Sequence, residues 1–366
     1  MDVKTNIQAR SFLILVIMFT VGTSILIAPS GLAADAKQDA WIASILGIFV
    51  NILLVLLYAA LGNRYPNKTF VQYCVISLGP WFGTIIALLY IAFCYLLAAL
   101  MLGDMGIFLT SQIMPDTPVE ILRIIFTFAI VMAVRAGLKV YTRAAEIFII
   151  WMLGLFFMLI LPSIPKFNFD YITPIFEFGV KPVLKGAYNF LALQEMVVLL
   201  MFYPYISASS KDRRNNFIKG TVVGGSLLVI MTLSSVLVLD PALTANQLFP
   251  AYALAKHINL GKFFERMESM MMFLWFLSIF VKMTLTFHAS VLGMAQLFKI
   301  KDEKPFIWPL AIGIIVLSSM CYPNTIFVLD FLTHSWAAVA LVFMLVLPLL
   351  ILSVSLMRGQ NSSIGN

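Results

Sequence analysis

The chain has 366 residues, of which 61% are hydrophobic and 11% charged, and its mean hydropathy is +0.99. Soluble chains carry about 25% Asp, Glu, Lys and Arg, so a water-soluble enzyme, a disordered tail and a fibrous protein are excluded at the outset. The net charge of +7 resides in short loops between apolar runs, where it reports topology and not a nucleic-acid partner. Cys74, Cys94 and Cys321 show no paired spacing and offer neither a disulfide framework nor a metal site. The sequence describes an all-α integral membrane protein whose solvent is the lipid bilayer.

A helix needs about 20 mostly apolar residues to cross the hydrocarbon core. Ten such runs are predicted, at 11–29, 41–61, 81–110, 119–134, 144–162, 187–204, 220–239, 267–297, 306–321 and 331–357, forming one transmembrane domain. Unpaired backbone in lipid is costly and no run shows the alternation of a barrel strand, so the spans are helices. The third and eighth runs are long enough to tilt or to project beyond the bilayer.

The first span reads Val21-Gly22-Thr23-Ser24 at its middle, with Gly22 roughly 16 Å from Ser11 at 1.5 Å per residue. Two readings are open. A broken helix would present backbone N–H groups and two hydroxyls to a carboxylate, whereas an unbroken one would use Gly22 for close helix contact and bond its hydroxyls to its own carbonyls. In the second span Asn51 is a lone amide expected to bond across to a neighbour, and Asp104 of the third is expected at the membrane interface. Glu146, at the start of the fifth, reads as helix-end electrostatics with Arg143. The sixth span carries Gln194 and Glu195 near mid-depth, with no glycine to ease a break. An acid there is either a ligand or proton group, or the partner of a base on a neighbouring helix.

The eighth span places Glu268, Met271, Trp275, Ser278, Lys282, Thr286 and Gly293 along one stripe at helical spacing. Glu268, Ser278 and Thr286 are candidates for a water path. Lys282 lies too far from either end to snorkel. It is either half of a structural ion pair, with Glu195 as candidate partner, or a cation lining a cavity. His288 faces away from this stripe, and His257 and His334 fall at or near outer loops, so the three histidines make no metal cluster. No nucleophile–base pair or phosphate loop is present; the sequence points to no enzyme, cofactor or metal. With the N-terminus in the cytoplasm, fifteen bases fall on the inner side and eight on the outer, Lys282 being intramembrane. Both termini are therefore expected inside. The first run lacks a cleavage site and is expected to remain as a span, and the polar tail 359–366 is expected to fray.

Three stretches together resemble one family. They are Val21-Gly22-Thr23-Ser24-Ile25-Leu26 with Pro29, Phe264-Glu265-Arg266-Met267-Glu268-Ser269 with Trp275, and Tyr203-Pro204 followed by Lys211-Asp212-Arg213-Arg214. The chain resembles, over essentially its whole length, the B subunit of endospore germinant receptors, within the amino acid–polyamine–organocation superfamily. The resemblance implies a five-plus-five inverted repeat of the leucine-transporter type with discontinuous first and sixth helices. It implies a germinant at the midplane between the first, third, sixth and eighth helices. Gly22, Thr23 and Ser24 would hold its charged end, Leu97 and Leu193 would bound its side chain, and Lys282 would line the opposite wall beside Gln194 and Glu195. It also implies A and C partner subunits and residence in the spore inner membrane. The expected function is sensing of a small nutrient, an amino acid first, that triggers germination. The rivals are a proton-coupled amino-acid permease and a channel or scaffold subunit without its own ligand.

Overall fold

A computed structural model describes residues 6–258, 267–322 and 335–358. The Phe264-Glu265-Arg266 opening of the eighth-span motif, His334, the start of the tenth run and the tail lie outside the described residues. The first span is two helices, α1 (Ala9–Val21) and α2 (Ser24–Ala36). There follow α3 (Ala40–Arg64), a short α4 (Phe70–Leu78), α5 (Pro80–Gln112), α6 (Val119–Ala136) and α7 (Leu138–Ser163). The sixth span opens as α8 (Val180–Leu191), unwinds, and continues as 3-10 turns Met196–Met201 and Tyr203–Tyr205. The second half continues with α9 (Ser210–Leu239), short α10 (Pro241–Asn246) and α11 (Pro250–His257), α12 (Met267–Leu297) and α13 (Lys304–Cys321). The last span runs Trp336–Leu341 and Leu347–Met357 around a π-helical turn Val342–Val346.

Eight stretches among the described residues are long and apolar enough to cross a membrane. Two predicted spans do not qualify alone. The break in the first leaves α1 only 13 residues long, and the 18 residues of α6 include Glu120, Arg123 and Arg135. Several helices outrun the apolar stretches that announced them. α7 starts at Leu138 and not 144, and α9 at Ser210 and not 220, carrying Lys211, Arg213, Arg214 and Lys219 within helix. Backbone hydrogen bonding continues past the hydrocarbon edge wherever a cap permits it. For α9 the Ser209 hydroxyl provides that cap, accepting the Asp212 N–H at 3.1 Å. α6 and α7 are joined by one residue, Gly137, whose φ of +93° lies in the left-handed region that only glycine adopts without strain.

α12 is the central post. It packs against α1, α5, α6 and α7, and every residue from Val281 to Val291 is buried. The outward faces of α6 and α7 expose Ile125, Phe128, Ile150 and Trp151 instead, the inversion expected when lipid replaces water. A two-stranded parallel ladder, Ile7–Gln8 (β1) with Ile206–Ser207 (β2), ties the start of the first span to the end of the sixth on one face. No periodicity in the sequence foretold that pairing.

Candidate functional site

The breaks of the first and sixth spans meet. At Gly22 the backbone leaves the helix (φ 14°, ψ −117°), its N–H donating to Met18 O at 2.9 Å. A Cβ added at Gly22 would lie 2.3 Å from Lys282 Cδ and 2.9 Å from Phe19 O. The broken reading of the first span therefore holds and the unbroken one does not: the helix is interrupted at Gly22, and the Ser24 hydroxyl donates to Leu193 O and not to its own helix. Of the second reading only the close contact at Gly22, with the lysine stem, remains. Span six breaks at Ala192–Glu195 without a glycine because its turns stay at negative φ, −66° at Ala192 and −63° at Glu195.

Unwound carbonyls in a membrane interior must find donors, and each one here does. Ala192 O accepts from Trp336 Nε1 at 3.1 Å. Leu193 O accepts from Ser24 Oγ at 3.2 Å and Lys282 Nζ at 3.1 Å. Gln194 O accepts from Met196 N, and Glu195 O from Val198 N at 3.1 Å. One turn on, Tyr90 donates to Val197 O at 3.2 Å.

Lys282 is wholly buried and forms an ion pair with Glu195 at 2.8 Å, itself only 3% exposed at the side chain. Its ammonium also donates to Thr23 Oγ1 at 3.1 Å and lies 5.2 Å from the Phe19 ring centroid. Gln194 Nε2 donates to Ser24 Oγ at 2.9 Å, while Gln194 Oε1 is buried with no hydrogen-bond partner among the described residues. Thus Thr23, Ser24, Leu193, Gln194, Glu195 and Lys282 form one polar cluster. Ser278 joins it, its hydroxyl within reach of Gly22 O (3.3 Å) and Trp275 O (2.9 Å). Thr286 donates back to Lys282 O at 2.8 Å. Leu97 is buried on α5, which packs on α12. Glu268 sits at the far end of α12, half-buried and away from the cluster.

Two expectations are corrected. Asn51 does not bond across to a neighbour: both amide atoms are buried without a partner among the described residues. One turn away on the same helix, Phe190 packs closely against Gly47, so the surroundings described there are apolar. Glu146 pairs not with Arg143 but with the Ser11 hydroxyl across the helix interface. Asp104 lies eight residues inside the end of α5, where the hydroxyl of Tyr322, the residue after α13, donates to it at 2.5 Å.

Sequence reasoning also passed over a chain of contacts at the other end of α12. The Tyr141 hydroxyl lies 2.7 Å from His288 Nδ1, and His288 Nε2 lies 2.8 Å from Glu303 Oε1. With Nε2–H donated to the carboxylate, Nδ1 is free to accept the tyrosine proton, so a neutral imidazole satisfies both neighbours. Trp336 and Tyr90 were missed as well. An indole or phenol inside an apolar span was the available signal, since each carries a donor that must be used.

Two helices broken opposite one another and a central third helix carrying a buried cation define a helical membrane protein of the leucine-transporter fold. Solved structures with this architecture include Mhp1, a nucleobase-cation-symport-1 family transporter (TM-score 0.71, 12% identity, 93% of this chain and 78% of that one). Another is MhsT (TM-score 0.66, 14% identity, 94% and 97%). The chain belongs to the spore germination protein family, whose sequence model matches residues 6–328. It is similar to spore germination protein KB of Bacillus subtilis (28% identical; 86% of this chain, 85% of that one). It is likewise similar to the putative spore germination protein YfkT of that organism (28%; 91% and 92%) and to YndE (24%; 97% and 98%).

Proposed function

We propose that this chain is the ligand-sensing subunit of a spore germinant receptor, in which an amino acid or similar small nutrient binds where the two breaks meet. One observation carries the reading: the carbonyls of the sixth-span break are all engaged, whereas no side chain caps the N-terminus of α2. Leu26 N–H turns onto Thr23 O at 3.3 Å, and the N–H groups of Ser24 and Ile25 remain as donors at the positive end of the helix, which suit a carboxylate. The unpartnered acceptor Gln194 Oε1 suits an ammonium or hydroxyl on the same molecule. Thr23 and Ser24 would hold the anionic end, and Leu97 and Leu193 would bound the side chain. A ligand carboxylate would also compete with Glu195 for Lys282, loosening the tie between spans six and eight. A differential affinity of about 3 kcal/mol shifts a two-state ratio roughly a hundredfold.

The family and the two fold neighbours support this reading; those neighbours were solved with bromovinylhydantoin bound and in complex with L-phenylalanine. The protein would sit in the spore inner membrane with both termini in the cytoplasm, passing the signal to A and C subunits. A proton-coupled permease is the second reading, because the buried Lys282–Glu195 pair could also serve proton transfer.

The test uses spores lacking other receptors, supplied with this subunit and its partners and challenged with an amino-acid panel. The wild type germinates on at least one nutrient; Gly22→Val, which collides with Lys282, stays in the membrane and does not respond. Normal germination of that variant removes the pocket from contention. Uptake of labelled amino acid by vesicles holding this chain alone would favour the permease; saturable binding without uptake favours the sensor.

A further inference from the structure

A second polar cleft lies away from the helix breaks, where the start of α1 meets the first turns of α7. It encloses about 260 Å³ and is lined by Gln8, Ser11, Lys139, Thr142, Arg143 and Glu146 among others. Ser11 and Thr142 are buried in its wall, while Lys139 and Arg143 are exposed at its mouth. Glu146, three residues from Arg143 on the same helix, is its natural ion-pair partner. That carboxylate instead takes the Ser11 hydroxyl. Among the described residues neither Lys139 nor Arg143 has a hydrogen-bond or ion-pair partner. The cleft therefore holds two uncommitted cations beside the Gln8 amide, while among its described lining residues both hydroxyls and the one acid are already engaged, Thr142 donating to Leu138 O at 2.6 Å.

We propose that this cleft binds a phosphate group, and that in the membrane the group is the headgroup of an anionic phospholipid. A guanidinium offers paired N–H donors matched to phosphate oxygens, and an ammonium beside it adds a point charge. Position selects the lipid. Directly along α7 from the cleft, Val140, Ile147, Ile150 and Trp151 are 54–70% exposed, an apolar stripe that faces the acyl chains. A lipid can seat its phosphate between Lys139 and Arg143 while its tails stay against that stripe. On the topology expected from the bases, the cleft faces the cytoplasmic leaflet, where anionic lipids draw such cations. The headgroup would bridge α7 to Gln8, just ahead of α1. Through the β1–β2 ladder it would also brace the end of the sixth span.

The test compares the full chain in phosphatidylcholine nanodiscs with the same discs containing phosphatidylglycerol, read by thermal melting and by lipid retained in native mass spectrometry. The wild type melts higher with phosphatidylglycerol and keeps the lipid. Lys139→Ala/Arg143→Ala loses the stabilisation and retains the lipid roughly tenfold less well, the scale of about 1.4 kcal/mol. Lys211→Ala/Arg214→Ala, at exposed bases on α9, serves as the control and keeps both. Equal losses in the two double variants would mean general surface charge and overturn the site. The same stabilisation by inorganic phosphate in pure phosphatidylcholine would overturn the lipid as occupant, and so would an acidic peptide that binds where phosphatidylglycerol does not.

Discussion

The Lys282–Glu195 pair lends itself to a quantitative trial. Lys282→Met keeps the stem volume and deletes an ammonium with three contacts: Glu195 at 2.8 Å and Thr23 Oγ1 and Leu193 O at 3.1 Å. Removing one member of a buried pair costs roughly 3–5 kcal/mol, because the other charge is stranded. Here the stranded carboxylate would be 3% exposed, and Thr23 would lose its donor. Leu193 O would still accept from Ser24, so the third contact is partly covered. The expected cost is about 4 kcal/mol for Lys282→Met and about 3 kcal/mol for Glu195→Met. The double variant, with neither charge, should fall within about 1–2 kcal/mol of wild type, giving a coupling of about 5–6 kcal/mol. Thermal unfolding of the purified chain measures this. At roughly 2–4 °C per kcal/mol for larger domains, each single variant should melt on the order of 10 °C below wild type. Single variants that melt with the wild type, or a double variant showing the sum of the two losses, would refute the reasoning.

Two further outcomes follow from other parts of the fold. His288→Phe should leave the Tyr141 hydroxyl and the Glu303 carboxylate without their shared partner and destabilise the chain by roughly 2 kcal/mol. Glu303→Gln should cost less, since that side chain is 26% exposed; a larger loss for the glutamine variant in the same melt would contradict the order. On α4, burial pushes the Cys74 thiol up to about 12. The unfolded chain therefore ionises first, near 8.5, and stability contributed by this group is lost as pH rises from there toward 12. Folded protein should leave Cys74 unalkylated by iodoacetamide at pH 8, detected by peptide mass; rapid labelling without unfolding would show the thiol to be accessible.

Much of this architecture was legible from residue order because lipid imposes a local rule. A run of apolar residues must be helical and must span, so the membrane class and most spans could be read one segment at a time. At Gly22 the sequence flagged a weak point, since Gly-Thr-Ser disfavours a helix wherever it stands, but left a break and a close helix contact both open. Lys282 also announced itself, because a cation at mid-span needs a partner, and Glu195 was the named candidate. The break at Ala192–Glu195 was not readable. Its residues tolerate a helix, and the unwound form holds only because Trp336, Ser24 and Lys282 deliver donors to carbonyls between 89 and 169 residues away in sequence. The same holds for Ser11 with Glu146 and for Tyr141 with His288 and Glu303. Hydrophobicity and helix propensity act over a few turns of chain. Which donor meets which orphaned acceptor depends on which helices stand side by side, and packing alone decides that.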